Sequence, residues 1–242
     1  MRYGIISDIH SNLEAFQAVL QALRLEHIDE YLCAGDIVGY AADPQACIDI
    51  VKDCVRITVA GNHDQASVEL FSDFHFNPYA QKAISWTKKN ISASGQDFLR
   101  SLKLTYQNKD LTLVHGSLAC PGDFKYISDP GMLESSFDLM EGNICFLGHT
   151  HEAGIFIQDS AGKRAYQKTG SRRIEKGSKY IVNVGSIGQP RDSDARASYG
   201  IYDTDTRQVT LKRVDYDVHL ARKKIIERGL PCFLGDRLLV GK

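Results

Sequence analysis

Five short stretches of this 242-residue chain carry side chains that bind metals or move protons, and each sits directly after an apolar run. They are Asp8-Ile9-His10, Gly35-Asp36, Gly61-Asn62-His63-Asp64, His115-Gly116 and Gly148-His149-Thr150-His151. Carboxylate, amide and imidazole together form a donor set suited to Mn, Fe or Zn, with no soft thiolate among them. Taken singly, each of these residues reads as a cap or a buried polar group. As an ordered set they point to one site holding two Asp, one Asn and five His. That is more than one ion can use. Two ions about 3.5–4 Å apart, sharing a carboxylate, would use them and would clamp both oxygens of an in-line displacement at phosphorus.

The spacing carries its own expectation. If D-x-H and H-x-H are extended, both side chains of each pair project to one side, because a strand repeats every two residues. The glycines before Asp36, Asn62 and His149 are expected to let the backbone turn sharply as it leaves the sheet. Asp64 reads as a helix cap or as a group behind the ligands, and stands outside the candidate site.

Alternating short apolar runs and amphipathic stretches must position these residues, which is the pattern of an α/β sheet. Strands are predicted at 3–7, 31–34, 55–60, 111–114 and 144–147, and ligands in open α/β sheets collect beyond the carboxyl ends of such strands. A helix capped by Ser11 or Asn12 follows the first strand, with Leu13, Phe16, Val19, Leu20 and Leu23 on one face. Pro44 opens a second helix. Residues 62–102 read as mostly helical, and another helix lies around 132–140. Beyond His151, short strands at 154–158, 165–168, 179–184, 199–203 and 209–213 suggest an antiparallel meander or second sheet. A helix at about 217–227 ends at Gly229-Leu230-Pro231. No repeat or linker breaks the chain, which reads as a single domain, 1–242, with a helical insertion at about 64–103.

Composition narrows the function classes. With 29 Lys+Arg against 30 Asp+Glu, the chain lacks the cationic excess of a dedicated nucleic-acid binder. Apolar runs fall far short of the roughly 18–20 residues a membrane span needs, and Asp8 and His10 interrupt the first run before a signal peptide could form. The six cysteines are scattered, with no C-x-x-C. A reduced, cytoplasmic protein without disulfides or a thiolate metal site is expected.

In this order, D-x-H, G-D, G-N-H-D, H and G-H-x-H resemble the motifs of the calcineurin-like metallophosphoesterase superfamily. They span residues 8–151. The segment 183–192 (NVGSIGQPRD) is similar to a bacterial and archaeal subgroup of small phosphodiesterases. The resemblance implies a four-layer α/β/β/α sandwich of two mixed sheets. It implies one ion on Asp8, His10, Asp36 and His151, and a second on Asp36, Asn62, His115 and His149, with Asp36 bridging. Manganese is the expected metal, with iron or zinc as alternatives. His63 matches the histidine that serves the leaving group without binding metal. The implied activity is hydrolysis of phosphodiester or phosphomonoester bonds of a small substrate by a metal-bridging hydroxide attacking in line.

The chain departs from the protein-phosphatase branch, which reads G-D-x-x-D-R-G. Gly39 and Tyr40 stand where that branch has Asp and Arg, which argues against protein-phosphatase activity and against an Asp–His pair at His63. Arg191 becomes the candidate phosphate-gripping cation, with a surface ion pair to Asp192 or Asp194 as its plainer role. Tyr40 is placed at the rim of the site, with stacking on substrate as its minority role. Phe71, Phe74, Phe76, Tyr79 and Trp86 read mainly as insertion core, with one or two free to face a substrate. Lys163, Arg164, Lys168, Arg172, Arg173, Lys176 and Lys179 form a basic run around a predicted hairpin. His27, His75 and His219 have no motif context. Two enzyme readings follow, a phosphoesterase and a dinucleoside polyphosphate hydrolase of the diadenosine tetraphosphate type; a nuclease and a non-catalytic scaffold of the same fold rank below them.

Overall fold

The structure, a computed structural model, describes residues 1–242 apart from the side chain of His75. Its elements run β1 (Arg2–Ile6), α1 (Leu13–Arg24), β2 (Glu30–Cys33), α2 (Pro44–Cys54), β3 (Ile57–Thr58), α3 (Asn62–Ser67), α4 (Pro78–Lys89) and α5 (Ala93–Ser101). Then come β4 (Thr105–Gln107), β5 (Thr112–Val114), α6 (Pro130–Leu139), β6 (Ile144–Leu147), β7 (Gly154–Gln158), β8 (Arg164–Gln167), β9 (Gly170–Arg173) and β10 (Lys179–Asn183). β11 (Ala197–Asp203), β12 (Gln208–Val214), α7 (Val218–Glu227) and α8 (Cys232–Asp236) complete the chain.

Two mixed six-stranded sheets form, in the orders β3-β2-β1-β11-β12-β9 and β4-β5-β6-β10-β7-β8. The motif-bearing strands are the parallel ones: β1 with β2, β2 with β3, and β5 with β6. Alternation along each strand decides which layer a side chain joins. Ile5 and Leu32 meet Phe146, Tyr180 and Val182 between the sheets. Their neighbours Ile6 and Cys33 face outward onto Phe16, Val19 and Leu23 of α1 and Ile48 of α2. On the other side Cys145, Leu147 and Ile181 pack against Phe137 of α6. The result is the α/β/β/α sandwich, thick with helices over the first sheet and covered mainly by α6 over the second.

α1 begins where Asn12 accepts a hydrogen bond from the Ala15 amide (3.1 Å), so Asn12 rather than Ser11 is the cap. Three expectations change. The strand read at 55–60 is paired only over Ile57–Thr58, because Val59 makes a lone bridge to Lys103 and the chain then turns into the site. The strands after His151 are not one block: β7, β8 and β10 belong to the second sheet, β9, β11 and β12 to the first. Nor do β8 and β9 form a hairpin, since β8 pairs with β7 and β9 with β12. Both are largely exposed, and the Tyr166 ring of β8 packs on Phe156 of β7 rather than on β9, so each joins the edge of a different sheet.

Candidate metal centre

The five motifs converge because their parent strands end at one edge of the sandwich. Asp8 and His10 follow β1, Asp36 follows β2, Asn62 and His63 open α3, His115 follows β5, and His149 and His151 follow β6. All are buried. Hydrogen bonds between the loops lock them together: the amides of Asp8, His10 and Ser11 donate to the carbonyls of Gly35, Asp36 and Ile37 (2.9–3.0 Å). The Asp8 carboxylate accepts from the His149 amide (3.0 Å), tying the first motif to the last.

The pairs are not extended. Asp8, His10, Asp36, His149 and His151 have φ between 49° and 69°, the left-handed region. Each placement costs a non-glycine residue about 1–2 kcal/mol. Left-handed turns re-aim both side chains inward, where an extended segment would have carried the backbone past the site. Strain of this kind persists where the surroundings over-determine it. The glycines also serve differently than expected. Gly35 alone of the three has positive φ (97°); Gly61 and Gly148 provide room, since a Cβ there would run into the carboxylates of Asp36 and Asp8.

Three histidines are oriented by backbone carbonyls. The Nδ1 atoms of His10, His115 and His151 lie 3.0, 2.7 and 2.6 Å from the oxygens of Val38, Ala34 and Gln189. A donating Nδ1–H leaves a lone pair on each Nε2, which is how metal-binding histidines are held. Those lone pairs converge. His10 Nε2 is 3.0 Å from His151 Nε2, and His115 Nε2 is 3.1 Å from both His149 Nδ1 and Asn62 Oδ1. Acceptors this close repel unless a proton or a cation lies between them. Asp8 Oδ1 is 3.2 Å from His151 Nε2, and Asp36 Oδ2 stands 3.5 and 3.3 Å from His10 and His115 Nε2. Two groups suited to an ion result, Asp8–His10–His151 and Asp36–His115–His149, with Asp36 also grouped with His10 and His63.

The electrostatics ask for positive charge. Burial opposes ionisation of Asp8 and Asp36, yet the facing histidines, His151 and His10 for one and His115 and His63 for the other, hold both well below the carboxylate range. Burial also disfavours charge on His115, but Asp36 and Asp8 outweigh it and lift the ring to about 9. Burial and the charge on His115 lower His149 to about 4; burial and Arg191 lower His151 to about 3. Two carboxylates buried this deeply among imidazoles make a site that bound cations would suit. The donor set, its tautomers and its charge all fit divalent transition metals.

His63 is set apart. Its ring packs against His10, Tyr40 and Phe76 with centroids 4.8, 4.4 and 4.7 Å away, and its buried Nδ1 has no hydrogen-bond partner. It therefore lacks the carbonyl contact that His10, His115 and His151 share. Burial, with the charges of His10, His151 and Arg191, drives its pKa well below 6.5 despite Asp36. A Cβ on residue 39 would sit 2.5 Å from His63 Nδ1, so Gly39 (φ +99°) admits the ring where an Asp would have contacted it.

Arg191 is not engaged by Asp192 or Asp194, which pair with Arg213 and Arg196. It donates to the Tyr40 hydroxyl (3.2 Å) and to Gln189 Oε1 (2.9 Å), and its guanidinium carbon lies 5.6 Å from the Tyr40 ring. Tyr40 is thus no rim residue: it is 6% exposed and forms the floor under both Arg191 and His63. Gln189, not singled out in the sequence, orients His151 through its carbonyl and Arg191 through its amide.

Asp64 holds the loop that carries Asp36. Its carboxylate accepts from the amides of Asp36, Ile37, Val38 and Gly61 at 2.8–3.2 Å. Asp64→Ala leaves four buried donors unpaired, so urea unfolding of the variant should show a stability loss of about 3 kcal/mol or more, with Asp64→Asn losing less. A loss below about 1 kcal/mol would show that the loop does not depend on this carboxylate.

Comparison with known proteins places this geometry. The family model of the calcineurin-like phosphoesterase superfamily domain matches residues 1–207. The chain belongs to that superfamily. An uncharacterized protein of Methanocaldococcus jannaschii is 37% identical over 99% of this chain and 98% of its own length. The crystal structure of a metallophosphoesterase from Sphaerobacter thermophilus, also 37% identical, superposes with a TM-score of 0.88 over 100% of this chain and 99% of that one. A hypothetical protein of Pyrococcus horikoshii has the same fold, with a TM-score of 0.81, 19% identity and coverage of 100% and 98%.

Around the phosphoesterase motifs a cavity of about 560 Å³ opens, lined by Asp36, Asn62, His63, His149, His151 and Arg191 at its base. Phe71 and Phe76 line it as well, whereas Phe74 is exposed, Tyr79 stacks on Phe233 and Trp86 packs with the α4–α7–α8 core. The segment 123–126 adds further walls that sequence reading missed. Its only signal was the F-K-Y triplet shortly after His115-Gly116. None of the basic run lines the cavity, and within it Arg164 pairs with Glu134 and Arg172 with Glu175. His27 and His219 are exposed, and the side chain of His75 lies outside the described residues. All six cysteines are free, and no helix among the described residues is long and apolar enough to cross a membrane.

Proposed function

We propose that the chain is a dinuclear metal-dependent phosphoesterase that hydrolyses phosphodiester or phosphomonoester bonds of small substrates. The observation carrying this reading is the convergence of carbonyl-tethered imidazoles on Asp8 and Asp36, with nitrogen pairs about 3 Å apart that call for cations between them. Asp8, His10, Asp36 and His151 would hold one ion, and Asp36, Asn62, His115 and His149 the other. Manganese is the proposed metal, with iron or zinc as alternatives; when bound, the ions supply Lewis acidity and activation of the attacking water at neutral pH.

The chain's own residues supply the rest. Arg191, held by Tyr40 and Gln189, is aimed along the cavity base to grip phosphoryl oxygens. Burial against His10, Tyr40 and Phe76 disfavours charge on the His63 ring. A bound phosphoryl anion favours the charged imidazole, which takes its proton from solvent and passes it to the departing oxygen. A cytoplasmic location is in keeping with the six free thiols.

The test is turnover of bis-p-nitrophenyl phosphate, p-nitrophenyl phosphate and diadenosine tetraphosphate by the purified protein, with and without chelator. Activity that disappears on chelation and returns with Mn is expected. Absence of both turnover and bound metal would replace this reading with that of a scaffold. The aromatic walls of the cavity favour a second reading, a dinucleoside polyphosphate hydrolase, which preferential turnover of diadenosine tetraphosphate would establish.

A further inference from the structure

The cavity is far larger than a phosphoryl group, and the surplus space is walled by rings. From His63 the rings run edge-to-face through Phe76 (4.7 Å), Phe71 (6.1 Å) and Phe124 (5.1 Å) to His115 (5.9 Å), so the wall begins at one motif histidine and ends at another. Tyr126 stands against His149, stacked at 4.3 Å and 14°, with half of its surface open. Core packing does not require this last arrangement, because Tyr126 stays 50% exposed while one face is held flat by a motif histidine.

Polar groups at the mouth add a pattern. Asn77 lines the cavity, and its Oδ1 is occupied in capping α4 through the amides of Tyr79 and Ala80 (3.1 and 3.0 Å), which leaves its amide NH₂ to donate. Asp123 offers an acceptor and Lys125 a cation on the neighbouring loop. A planar heteroaromatic ring with both donors and acceptors on its edge, joined to a phosphate, matches these three features together. A simple phenyl group would leave the polar edge unused, and an alkyl group would leave the ring wall unused.

We propose that this space is a nucleobase subsite: Phe71, Phe76 and Tyr126 receive the base of a nucleotide whose phosphoryl group lies at the Asp36 centre. The proposal rests on the phosphoesterase reading for the position of the phosphate. It makes the substrate a nucleotide phosphoester, with the base selected by stacking rather than by the metal ligands.

The experiment measures dissociation constants by calorimetry on the Mn-loaded full-length protein. The probes are hydrolysis-resistant methylenephosphonate analogues of AMP and of ribose 5-phosphate, which present the same anion and differ only in the base. Stacking of one base typically strengthens binding enough for a preference of about 10-fold for the AMP analogue. In Tyr126→Ala and in Phe71→Ala that ratio should fall to about 2-fold or less, each variant being its own control through the ribose analogue. Equal affinities in the wild type, a ratio surviving both variants, or no binding of either analogue would overturn the subsite. Bis-p-nitrophenyl phosphate turnover, followed in parallel, reports on the catalytic reading separately: turnover without base preference sinks the subsite alone, and base preference without turnover supports the subsite while removing the esterase.

Discussion

Asp36→Asn abolishes turnover, by an expected factor on the order of 10³ in kcat with any phosphoester the wild type accepts, about 4 kcal/mol of transition-state stabilisation. The reason is position. Oδ2 of Asp36 lies between His10 and His115 Nε2, and Oδ1 accepts the His63 amide at 2.8 Å. Both halves of the site therefore lean on one carboxylate. Asn keeps the shape and can still accept from His63, so the fold should survive, while the charge that a pair of cations would share is gone. Elemental analysis after Mn loading should find fewer than two ions per chain, and circular dichroism should match the wild type. An Asn variant that retains two ions and normal turnover would overturn the bridging role.

His63→Gln is expected to lower kcat by about 10²- to 10⁴-fold for substrates with poor leaving groups, the range typical of positioned proton transfer. Metal content should not change, because His63 lacks the carbonyl contact that His10, His115 and His151 share and its Nδ1 is unpartnered. The decisive readout is the leaving group. p-Nitrophenolate departs without a proton, so the variant should lose little on p-nitrophenyl esters and most on alkyl esters. An equal loss on both, or a loss of metal, would make His63 a ligand or a packing residue. Burial beside His10, Tyr40 and Phe76 lowers the pKa of the ring, so an arriving phosphoryl anion is what favours its protonated form.

Much of this was legible without coordinates because the motifs are local and the strands that carry them are short, apolar and parallel. Each motif residue lies within a few positions of a strand end, and the order of the motifs, with the family they resemble, was enough to gather Asp8, His10, Asp36, Asn62, His63, His115, His149 and His151; that their strands belong to two different sheets only the tertiary structure decided. The alternation of Ile5 with Ile6, or of Ile181 with Val182, likewise follows from a period of two. Strand partnership after His151 was not legible. β8 and β9 are short and largely exposed, so little in their own residues says which sheet edge they join.

The amino-acid sequence by itself determined the donor set, the α/β character of the chain and the lack of an Asp at position 39, since these depend on residue type and local period; the two-sheet sandwich was implied by the family resemblance. Tertiary structure alone decided how the donors point. The left-handed turns at Asp8, Asp36, His149 and His151, the carbonyls of Val38, Ala34 and Gln189 that select the tautomers, and the clasp of Tyr40 on Arg191 across 151 residues are all contacts between distant segments. The same holds for the cavity, which residues of the segments 71–77 and 123–126 line together although far apart in sequence. Residue types carry the chemistry a chain can do; long-range packing sets the directions in which it is done.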